Sequence, residues 1–434
     1  MNESFDVAIV GAGPAGTSAA CILADAGIKT IVFERGEYPG AKNMSGGVLY
    51  GYNLSQILPD YVERGCPIER NIIESRIWFL SKDAGYNIGY RDNIFTKERK
   101  NNVFTVGRAK FDRWFAEQAK KKGALVVPAT VVVDFMKDGK GRVNGVITNR
   151  KDGEVQAKVV LLADGVNSPL AAKTGFRPEL KPEHVALAVK EIIDLAPEVI
   201  EQRFGVSPAD GVTTEVLGEM TGGMDGVAIV YTNKSSISIS VGANLADLVK
   251  AKIKPYDLIE AYKQHPMVAP LIAGGKPIEY TAHWLSEGGY STMPQLVGDG
   301  YLIAGDSAML FNALHREGSN LAMASGKMAA EAVITALKQN DVSKQGLSSY
   351  ITKMNESFVI KDMKKYRNFP GFLYSTHQLF NELPQIAQLA AREMLTVNGI
   401  AKKQKQKTIM DEIRKKVGLV KLGRIAWNGW RSVK

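Results

Sequence analysis

The sequence predicts an α/β fold that combines a Rossmann-like domain, an inserted β-rich α+β domain and a helical C-terminal region. Three observations support this fold class. Residues 5–34 have the pattern strand, glycine turn, helix, strand, which is a βαβ unit. A strand and a long helix within 295–340 repeat that pattern. Between them, residues 181–294 mix strands and short helices with many Gly and Pro, as in an insertion.

Length and composition indicate an ordinary globular protein. The chain has 434 residues, 45% of them hydrophobic, which favours two or three domains or one domain with large insertions. This composition excludes disordered and collagen-like classes. The net charge of +10 indicates a basic face. Because no nucleic-acid-binding module is recognisable, a membrane surface or an acidic protein is a better partner than a nucleic acid.

The two cysteines, Cys21 and Cys66, are too few for a disulfide framework or for the four thiolates of an iron–sulfur cluster. Cys21 lies in an alanine-rich helix pattern and is predicted to pack as a small apolar residue. We predict no metal site. The first apolar run begins at Phe5 without a basic leader, and no window reaches about 20 apolar residues. We therefore expect a peripheral protein on the cytoplasmic face of the cell membrane.

The helix between the first two strands opens with the glycine turn GAGPAG. Gly11 allows the tight turn, Gly13 lets the backbone approach a pyrophosphate, and Gly16 lets helix and strand pack closely. The helix N-terminus offers N–H groups to phosphates, and Glu34, which ends the next strand, accepts hydrogen bonds from a ribose. A glycine turn without a ligand is the alternative. The residues predicted to bind a dinucleotide here are Gly11, Gly13, Pro14, Ala15, Gly16, Glu34 and Arg35.

Later sequence motifs indicate that the bound dinucleotide is FAD rather than NAD. Two further strands end in Ala-Asp-Gly and Gly-Asp, where a carboxylate beside a glycine can accept from a ribityl hydroxyl. Together with an arginine before the amphipathic helix at 108–123, they resemble the FAD-binding pattern of para-hydroxybenzoate-hydroxylase-like flavoproteins. Each piece alone also fits a plain strand-end turn. The set predicts FAD as cofactor, with contacts from Arg108, Val131, Ala163, Asp164, Gly165, Gly305 and Asp306.

The stretch HREGSNLAMASG, residues 315–326, crowds ionisable groups before a helix of small residues. We expect the N–H groups of Gly318, Ser319 and Asn320 to face the N1–C2=O edge of the flavin. Dipoles placed there would stabilise the reduced, anionic ring. His315 and Arg316 would lie at the rim of the site. The small residues at 322–326 would keep this helix close to the sheet.

A second glycine-rich segment, GAKNMSGGVLYG, covers residues 40–51. We predict that it wraps the other side of the ring, near N5, because long Gly-rich loops more often carry function than fill space. A simple surface loop is the alternative. The predicted contacts here are Lys42, Asn43, Ser45, Gly46 and Gly47.

The motifs GAGPAG, AKNMSGG, ADGVNS, GDS and above all HREGSNLAMASG resemble the FixC family, relatives of electron-transfer-flavoprotein:quinone oxidoreductase. Residues 220–240 are similar to the same family's inserted domain, and the likeness covers most of residues 1–400. It implies a flavoprotein that accepts electrons from FixA/FixB-type electron-transfer flavoprotein subunits and reduces a membrane quinone. The flavin would be the redox centre. His315 and Arg316 remain catalytic candidates, and His315 is either structural or a proton relay to a bound quinone.

The resemblance also implies partners. Long members of the family carry an iron–sulfur domain at the C-terminus, but this chain stops at Lys434 without the needed cysteines. The cluster would then lie on a ferredoxin-like, FixX-type subunit. Such assemblies are associated with electron bifurcation, and the bifurcating flavin would belong to the partner rather than to this chain.

The resemblance and the element pattern predict the following domain division. The FAD-binding domain comprises 1–75, 100–180 and 295–340, with an insert strand segment at 76–99, a β-rich substrate or quinone domain at 181–294 and a helical region at 341–434. The basic end, from Lys402 on, contains Trp427 and Trp430, which suits an anionic membrane surface, an acidic partner or a solvated tail. Residues 369–397 carry an apolar stripe that fits core packing or a quinone entrance.

Three other functions use the same fold and stay open at this point. One is an FAD-dependent monooxygenase that uses NADPH and oxygen. Another is a geranylgeranyl-reductase-like enzyme, which also acts on a lipid. The third is a flavin-holding subunit that relays electrons or anchors partners without a substrate of its own. The match of residues 315–326 weighs against the first two.

Overall fold

The computed structural model describes residues 4–97 and 103–434. It divides into two compact units. Unit 1 is formed by Met1–Ile68, Arg99–His184 and Ser286–Arg367. Unit 2 is formed by Glu69–Glu98, Val185–Leu285 and Asn368–Lys434.

The strands and helices follow in chain order. The strands are β1 (Phe5–Val10), β2 (Thr30–Phe33), β3 (Gly47–Tyr50), β4 (Ile68–Leu80), β5 (Gly85–Arg91), β6 (Val103–Val106), β7 (Leu125–Val127), β8 (Val132–Lys137), β9 (Val143–Thr148), β10 (Glu154–Leu162), β11 (Val185–Asp194), β12 (Asp210–Gly218), β13 (Gly226–Thr232), β14 (Ser236–Asn244), β15 (Lys276–Ser286), β16 (Val297–Gly298) and β17 (Tyr301–Ile303). The helices are α1 (Pro14–Asp25), α2 (Gly51–Ser55), α3 (Ile94–Lys97), α4 (Arg108–Lys121), α5 (Pro169–Lys173), α6 (Pro197–Phe204), α7 (Leu245–Ala251), α8 (Pro255–Gln264), α9 (Ala269–Ile272), α10 (Ser319–Lys338), α11 (Ser349–Glu356), α12 (Phe358–Lys365), α13 (Phe369–Ser375), α14 (Glu382–Leu395), α15 (Lys402–Lys416) and α16 (Leu419–Val433).

Unit 1 is built on a mostly parallel sheet with the order β16-β17-β10-β1-β2-β7, to which β9 and β8 add an antiparallel edge on β10. Its central strands are continuous apolar runs, as expected where helices cover a parallel sheet. Helices α1, α4, α10, α11 and α12 supply the apolar side chains that pack with these strands in one core. The carboxyl ends of β1, β2, β10 and β17 therefore meet at one edge, where ligands bind in α/β sheets.

Unit 2 contains the sheet β15-β11-β14-β13-β12-β4, with β5 paired to β4. Helices α6, α7 and α8 cover one face of this sheet, where Val189, Val230 and Ile239 belong to an apolar core with Ile259 and Tyr262. The pattern SSISIS predicts a half-buried strand. That expectation is wrong about burial, because Ser238 and Ser240 on the second face of β14 are buried as well. The strand is central in the sheet, and Asn233 donates to the Ser238 hydroxyl.

The C-terminal region is helical, as predicted, but it belongs to both units. Helices α11 and α12 pack with the core of unit 1, whereas α13 to α16 belong to unit 2. Within unit 2, α13 contacts α16 and α14 contacts α15. In the described part of the chain, no helix is long and apolar enough to cross a membrane.

The α/β fold class and the first βαβ unit are confirmed, with β1, α1 and β2 in the predicted places. The amphipathic helix at 108–123 and the long helix after residue 318 are confirmed as α4 and α10. Cys21 is fully buried, as predicted. The predicted domain division stays a prediction. Along the described chain, the boundaries between the two units fall at residues 68/69, 184/185, 285/286 and 367/368. The last boundary lies inside the region that was predicted as one helical part.

Candidate functional site

The glycine turn of unit 1 is shaped by close backbone approaches. Gly11 has φ +104°, and a Cβ there would collide with the carbonyl oxygen of Ala163, which directly follows the neighbouring strand β10. A Cβ on Gly16 would collide with the Gly11 carbonyl oxygen. By contrast, nothing lies within 4 Å of a Cβ placed on Gly13. The first and third glycines thus serve packing, and the second leaves open space beside the N-terminus of α1.

Helix α1 begins without a side-chain cap. Gly13 is its N-cap residue and Pro14 opens its first turn, where a missing N–H costs nothing. The amides of Ala15 and Gly16 lie in the first turn, which has no intrahelical acceptors for its N–H groups. This end of the helix is a ready anion site, so it suits the pyrophosphate for which these residues were predicted.

Glu34 follows β2 and is buried. One carboxylate oxygen accepts from the Ala12 N–H at 3.1 Å and the other from the Gly36 N–H at 2.7 Å. Burial raises the pKa of this carboxyl, and the two backbone N–H groups act against that rise. The carboxylate is therefore fixed beside the glycine turn, and its remaining lone pairs can accept from a ribose. The predicted neighbour Arg35 is exposed.

Val131 follows Thr130, which is hydrogen-bonded to the strand end that carries Glu34. The Thr130 N–H donates to the Glu34 carbonyl oxygen at 2.9 Å, and Val131 exchanges hydrogen bonds with Asn149. The Val131 side chain itself is exposed. The structure therefore places Val131, which was predicted to bind the cofactor, next to the edge where β2 ends.

The Gly-rich loop at 40–47 is tied to helix α4 by a buried carboxylate that the sequence analysis did not single out. Asp112 accepts from the Asn43 amide and from Arg108 at 3.0 and 3.1 Å. A Cβ on Gly47 would touch the Arg108 side chain, so loop and helix are in close contact. Asp112 thereby joins two predicted segments. The signal that could have found it is its position four residues after Arg108, where an ion pair forms along a helix.

The other predicted residues of this loop differ in how far they are buried. Ser45 and Gly46 are buried, and Lys42 is exposed. Both Ser45 and Gly46 make further contacts within the structure. The loop is thus anchored in its second half, and Lys42 extends from the surface.

The ends of β10 and β17 are joined by serine hydroxyls. Asp164 accepts from Ser168 at 2.6 Å and from Ser307 at 2.9 Å, and Ser307 also accepts from the Gly165 N–H. Ala163, just before them, donates to the Val10 carbonyl oxygen. Burial raises the pKa of the Asp164 carboxyl, and the hydrogen bonds from Ser168 and Ser307 act against that rise. Sequence reasoning missed both serines, although GVNS and GDS contain them.

Arg177 adds a buried positive charge behind this cluster. Its guanidinium donates to the Asn167 carbonyl oxygen at 3.1 Å, while its Nε has no hydrogen-bond partner in the described structure. Burial lowers the pKa of Arg177, and the charge of Asp164 acts against that shift. Arg177 therefore places a buried guanidinium near the strand end that was predicted to hold the ribityl chain.

Gly305 and Asp306 begin a short 3₁₀ turn after β17. Gly305 has φ +65°, its N–H donates to the Ser325 hydroxyl on α10, and its Cβ position faces Ala15 on α1. A Cβ on Gly326 would collide with the carbonyl oxygen of the same Ala15. Helices α1 and α10 therefore meet with almost no side chain between them. The small residues of 322–326 were expected to keep this helix close to the sheet; Ser325 bonds Gly305 just after β17, but Gly326 brings the helix against α1.

The segment before α10 folds back on itself. Asn312 and Glu317 pair as a short β-bridge, and Arg316 takes a left-handed φ of +54°, which is uncommon outside glycine. His315 is exposed and its ring packs edge-on against Tyr366 at 5.2 Å. Burial raises the pKa of the Glu317 carboxyl. The ionisable groups of this segment thus range from exposed His315 to half-buried Arg316 and Glu317.

Helix α10 starts at Ser319 with Gly318 as its N-cap and no side-chain cap hydrogen bond. Around this end, three buried polar atoms have no partner in the described structure: Nδ2 of Asn312, Nε of Arg316 and Oδ1 of Asn320. Buried polar groups are nearly always hydrogen-bonded in native proteins. Their clustering beside an uncapped helix end indicates a polar group that this chain is built to hold.

The residues present fit FAD. The open space at Gly13 and the end of α1 suit the pyrophosphate, Glu34 suits the ribose, and the end of α10 with its unpaired polar atoms suits the pyrimidine edge of the ring. A family model described as FAD dependent oxidoreductase matches residues 6–176. The protein is thus an FAD-dependent oxidoreductase.

Proteins of similar sequence narrow this class of oxidoreductases to one family. Protein FixC of Azorhizobium caulinodans is 44% identical over 409 residues, covering 94% of each chain. Protein FixC of Azotobacter vinelandii is 43% identical over 435 residues and covers 100% of both, and that of Escherichia coli K12 is 40% identical with 97% of both covered. A model of the ETF-QO/FixC family C-terminal domain matches residues 369–434. The chain belongs to the FixC family.

Solved structures show the same fold. A geranylgeranyl bacteriochlorophyll reductase-like protein from Thermoplasma acidophilum superposes with a TM-score of 0.71 at 21% identity, covering 98% of this chain and 99% of that one. PqsL, a probable FAD-dependent monooxygenase from Pseudomonas aeruginosa, gives 0.60 at 16% identity, with 87% and 98% covered. Likeness at these identities concerns architecture alone.

Proposed function

We propose that this chain is the FAD-containing subunit of an electron-transfer-flavoprotein:quinone oxidoreductase complex. It takes electrons from FixA/FixB-type flavoprotein and FixX-type ferredoxin-like subunits and reduces a membrane quinone. The observation that carries the proposal is identity to FixC proteins of 40% or more over nearly the whole chain. The match to the ETF-QO/FixC C-terminal domain extends this support into unit 2.

The residues of unit 1 bind and orient the cofactor. The end of α1 binds phosphate oxygens, and Asp112 holds Arg108 and the loop of Asn43 in place. The N–H groups at the start of α10 stabilise negative charge at the edge they face. Bound FAD supplies a centre that accepts electrons from one partner and passes them to another. In this proposal no side chain acts as an acid or base, and the chain contributes position and electrostatics.

The thiols of the chain do not serve as ligands for an iron–sulfur cluster in this proposal. Burial raises the pKa of both Cys21 and Cys66 to about 12, so both stay protonated at neutral pH. A thiol ligates metal as the thiolate, and a cluster usually takes four of them. The iron–sulfur centre is therefore assigned to a separate subunit.

Unit 2 offers a surface for an anionic membrane. On α16, Trp427 and Trp430 are 57% and 49% exposed, and their rings lie 5.1 Å apart. Cations accompany them on the same helix, and the Lys434 ammonium lies 4.7 Å from the Trp430 ring. Interfacial tryptophans with basic residues bind the headgroup region of anionic bilayers. The β4–β5 hairpin adds exposed Phe79 and Ile88 within the same unit.

The test is native affinity purification of the tagged full-length chain from its own cells, followed by an assay with a short-chain quinone. We expect a yellow preparation with stoichiometric FAD, co-purified flavoprotein and iron–sulfur subunits, and quinone reduction that depends on a donor to the flavoprotein. Co-purification without quinone reduction would instead support an electron-relay subunit. Rapid NADPH oxidation coupled to hydroxylation by the chain alone would replace the proposal with a monooxygenase.

A further inference from the structure

Helix α12 of unit 1 ends in a patch of exposed positive charge. Its apolar residues Val359, Ile360 and Met363 are buried in the core of the unit. The segment KDMKKYR, residues 361–367, carries four cations against one carboxylate. These four cations are exposed, and we call them the basic patch: Lys361, Lys364, Lys365 and Arg367. In the described part of the chain, none of the four forms an ion pair.

The stability of α12 does not explain the basic patch. Cations in the last turn of a helix interact favourably with its dipole, and Lys364 and Lys365 have that position. Lys361, however, lies one turn before Lys365, and like charges at this spacing destabilise a helix. Arg367 adds the same charge just after the helix ends. Like charges that cost stability and have no carboxylate partner in the described chain indicate a negatively charged partner from outside.

Two aromatic rings orient the lysines of the basic patch. The Lys364 ammonium lies 5.7 Å from the centroid of the Tyr290 ring and donates to the side-chain oxygen of Asn355 at 3.2 Å. The Lys365 ammonium lies 5.1 Å from the centroid of the Tyr366 ring. Cation–π contacts hold ammonium groups over a ring. Because these lysines are already oriented, less side-chain freedom is lost when a partner binds them.

The basic patch lies next to the segment that precedes α10. The Tyr366 ring meets the His315 ring edge-on at 5.2 Å. The pKa of the Glu317 carboxyl is raised by burial and also by the charge of Asp362 on α12. His315 stands three residues before Gly318, so the chain between them spans at most about 11 Å. Since the helix end at Gly318 suits the pyrimidine edge of FAD, the patch is close to where an electron donor has to approach.

We propose that the basic patch docks an acidic face of the ferredoxin-like iron–sulfur subunit. The proposal rests on the proposed function and adds to it the surface through which electrons enter this chain. A donor docked there is oxidised by one electron as bound FAD is reduced by one, and two such transfers supply the two electrons of a quinone reduction. Small, charged contact surfaces are typical of transient electron-transfer complexes.

The composition of the basic patch favours a protein over a lipid surface. The cations of α16 are accompanied by two exposed tryptophans, as interfacial helices are. Residues 358–367 contain no tryptophan, and the rings beside the patch, Tyr290 and Tyr366, are half-buried. An acidic protein face needs only the exposed cations, which attract it over about a Debye length.

The test uses the complex purified through a tag on the full-length chain. The iron–sulfur subunit is released from the immobilised wild-type complex at high salt. Its affinity for each variant is then measured at low salt by the iron retained per FAD. FAD content and the thermal midpoint of each variant report on folding.

The test variant is Lys364→Glu with Lys365→Glu, and Lys364→Arg with Lys365→Arg retains the charge. The control is Lys120→Glu with Lys121→Glu. It reverses two exposed lysines in the last turn of α4, in the same unit, and so has the same effect on net charge and on a helix end.

We expect the α12 glutamate variant to bind the iron–sulfur subunit about a hundredfold more weakly at low salt, because two attractions become repulsions. The difference shrinks as the salt concentration rises, since salt screens exposed charges. The arginine variant and the α4 control bind the subunit as the wild type does. All variants keep their FAD.

The outcomes that overturn the proposal are distinct from failure of the proposed function. If the wild-type complex contains the iron–sulfur subunit and the α12 glutamate variant binds it equally well, the docking surface is wrong and the function stands. The same holds if high salt does not release the subunit, or if the α4 control loses as much affinity. Loss of binding to phosphatidylglycerol vesicles, with the subunit retained, would assign the patch to lipid. If no iron–sulfur subunit co-purifies with the wild type, the docking surface and the proposed partner both fall.

Discussion

The two units of this protein build their surfaces in opposite ways. In unit 1 the segments around the site pack backbone against backbone: Gly11, Gly16 and Gly326 each face a carbonyl oxygen so closely that a methyl group has no room. In unit 2 the surfaces are made of side chains, such as Trp427 on α16 and Ile88 on β5, with space around them. The comparison teaches that close backbone packing shapes the cofactor site of unit 1. Exposed apolar area and charge shape the surfaces of unit 2, which suit contacts with lipids or partners.

The largest expected effect comes from filling a backbone contact of unit 1. In Gly326→Ala the new Cβ meets the Ala15 carbonyl oxygen, so α1 and α10 must separate. We expect a loss of about 3 kcal/mol in the stability of unit 1, because backbone cannot yield as a side-chain tip does. Thermal unfolding followed by circular dichroism measures it. The control Gly423→Ala on α16 has open space at its Cβ and should unfold at the same temperature or slightly higher.

The next effect separates folding from cofactor binding. Gly13→Ala places a methyl group in open space, so the FAD-free protein should be as stable as the wild type. FAD affinity should fall about a hundredfold, since the methyl group keeps the pyrophosphate from the start of α1. Fluorescence titration of the FAD-free protein with FAD gives the affinity. Wild-type affinity in this variant would show that Gly13 does not face the phosphates.

A smaller effect tests the side-chain surfaces of unit 2. Replacing Trp427 and Trp430 together by Ser removes two exposed rings from α16 and should weaken binding to anionic vesicles about tenfold, with FAD content unchanged. Vesicle co-sedimentation measures it. Tyr256→Ser on α8 is the control, because it removes an equally exposed ring elsewhere. Equal losses in both variants would contradict a specific role of α16.

The smallest effect concerns pH and the rim of the cofactor site. Burial raises the pKa of Glu317 above its ordinary 4.5, while the charge of His315 and a hydrogen bond from Asn320 act against the shift. The folded state then holds this proton more tightly than the unfolded state. The stabilisation is complete below the ordinary pKa and is lost as the pH rises through the raised one. As the pH rises through that window, the thermal midpoint of Glu317→Gln should therefore rise relative to that of the wild type. Midpoints that change with pH in parallel would contradict this prediction.

Much of unit 1 could be predicted because its signals are local. The turn at 11–16, the strand ending at Glu34 and the helix after Gly318 are each encoded in a short stretch. The spacing of glycines, apolar residues and caps acts within one or two turns of chain. FAD, the α/β class and the FixC family were predicted on this basis and are confirmed. The individual cofactor contacts remain predictions, although the structure gathers these segments in one unit.

The residues that sequence reasoning missed act across long separations. Asp112 reaches a loop about 70 positions earlier, and Ser307 joins Asp164 over 143 positions. Such pairs leave no periodic signal, since each partner alone resembles an ordinary helix or turn residue. The burial of both faces of β14 was missed for the same reason. Alternation of Ser and Ile describes one strand and not what lies above it.

By itself, then, the amino-acid sequence determined the elements, the cofactor class and the family of this protein, because short-range patterns of glycine and apolar residues carry that information. Only the tertiary structure decided which side chains hold the loop of Asn43, that the C-terminal helices divide between two units, and that Lys190 meets Tyr231 on one sheet face. These depend on strand register and packing between distant segments, where the free energy comes from contacts that no local stretch of chain contains.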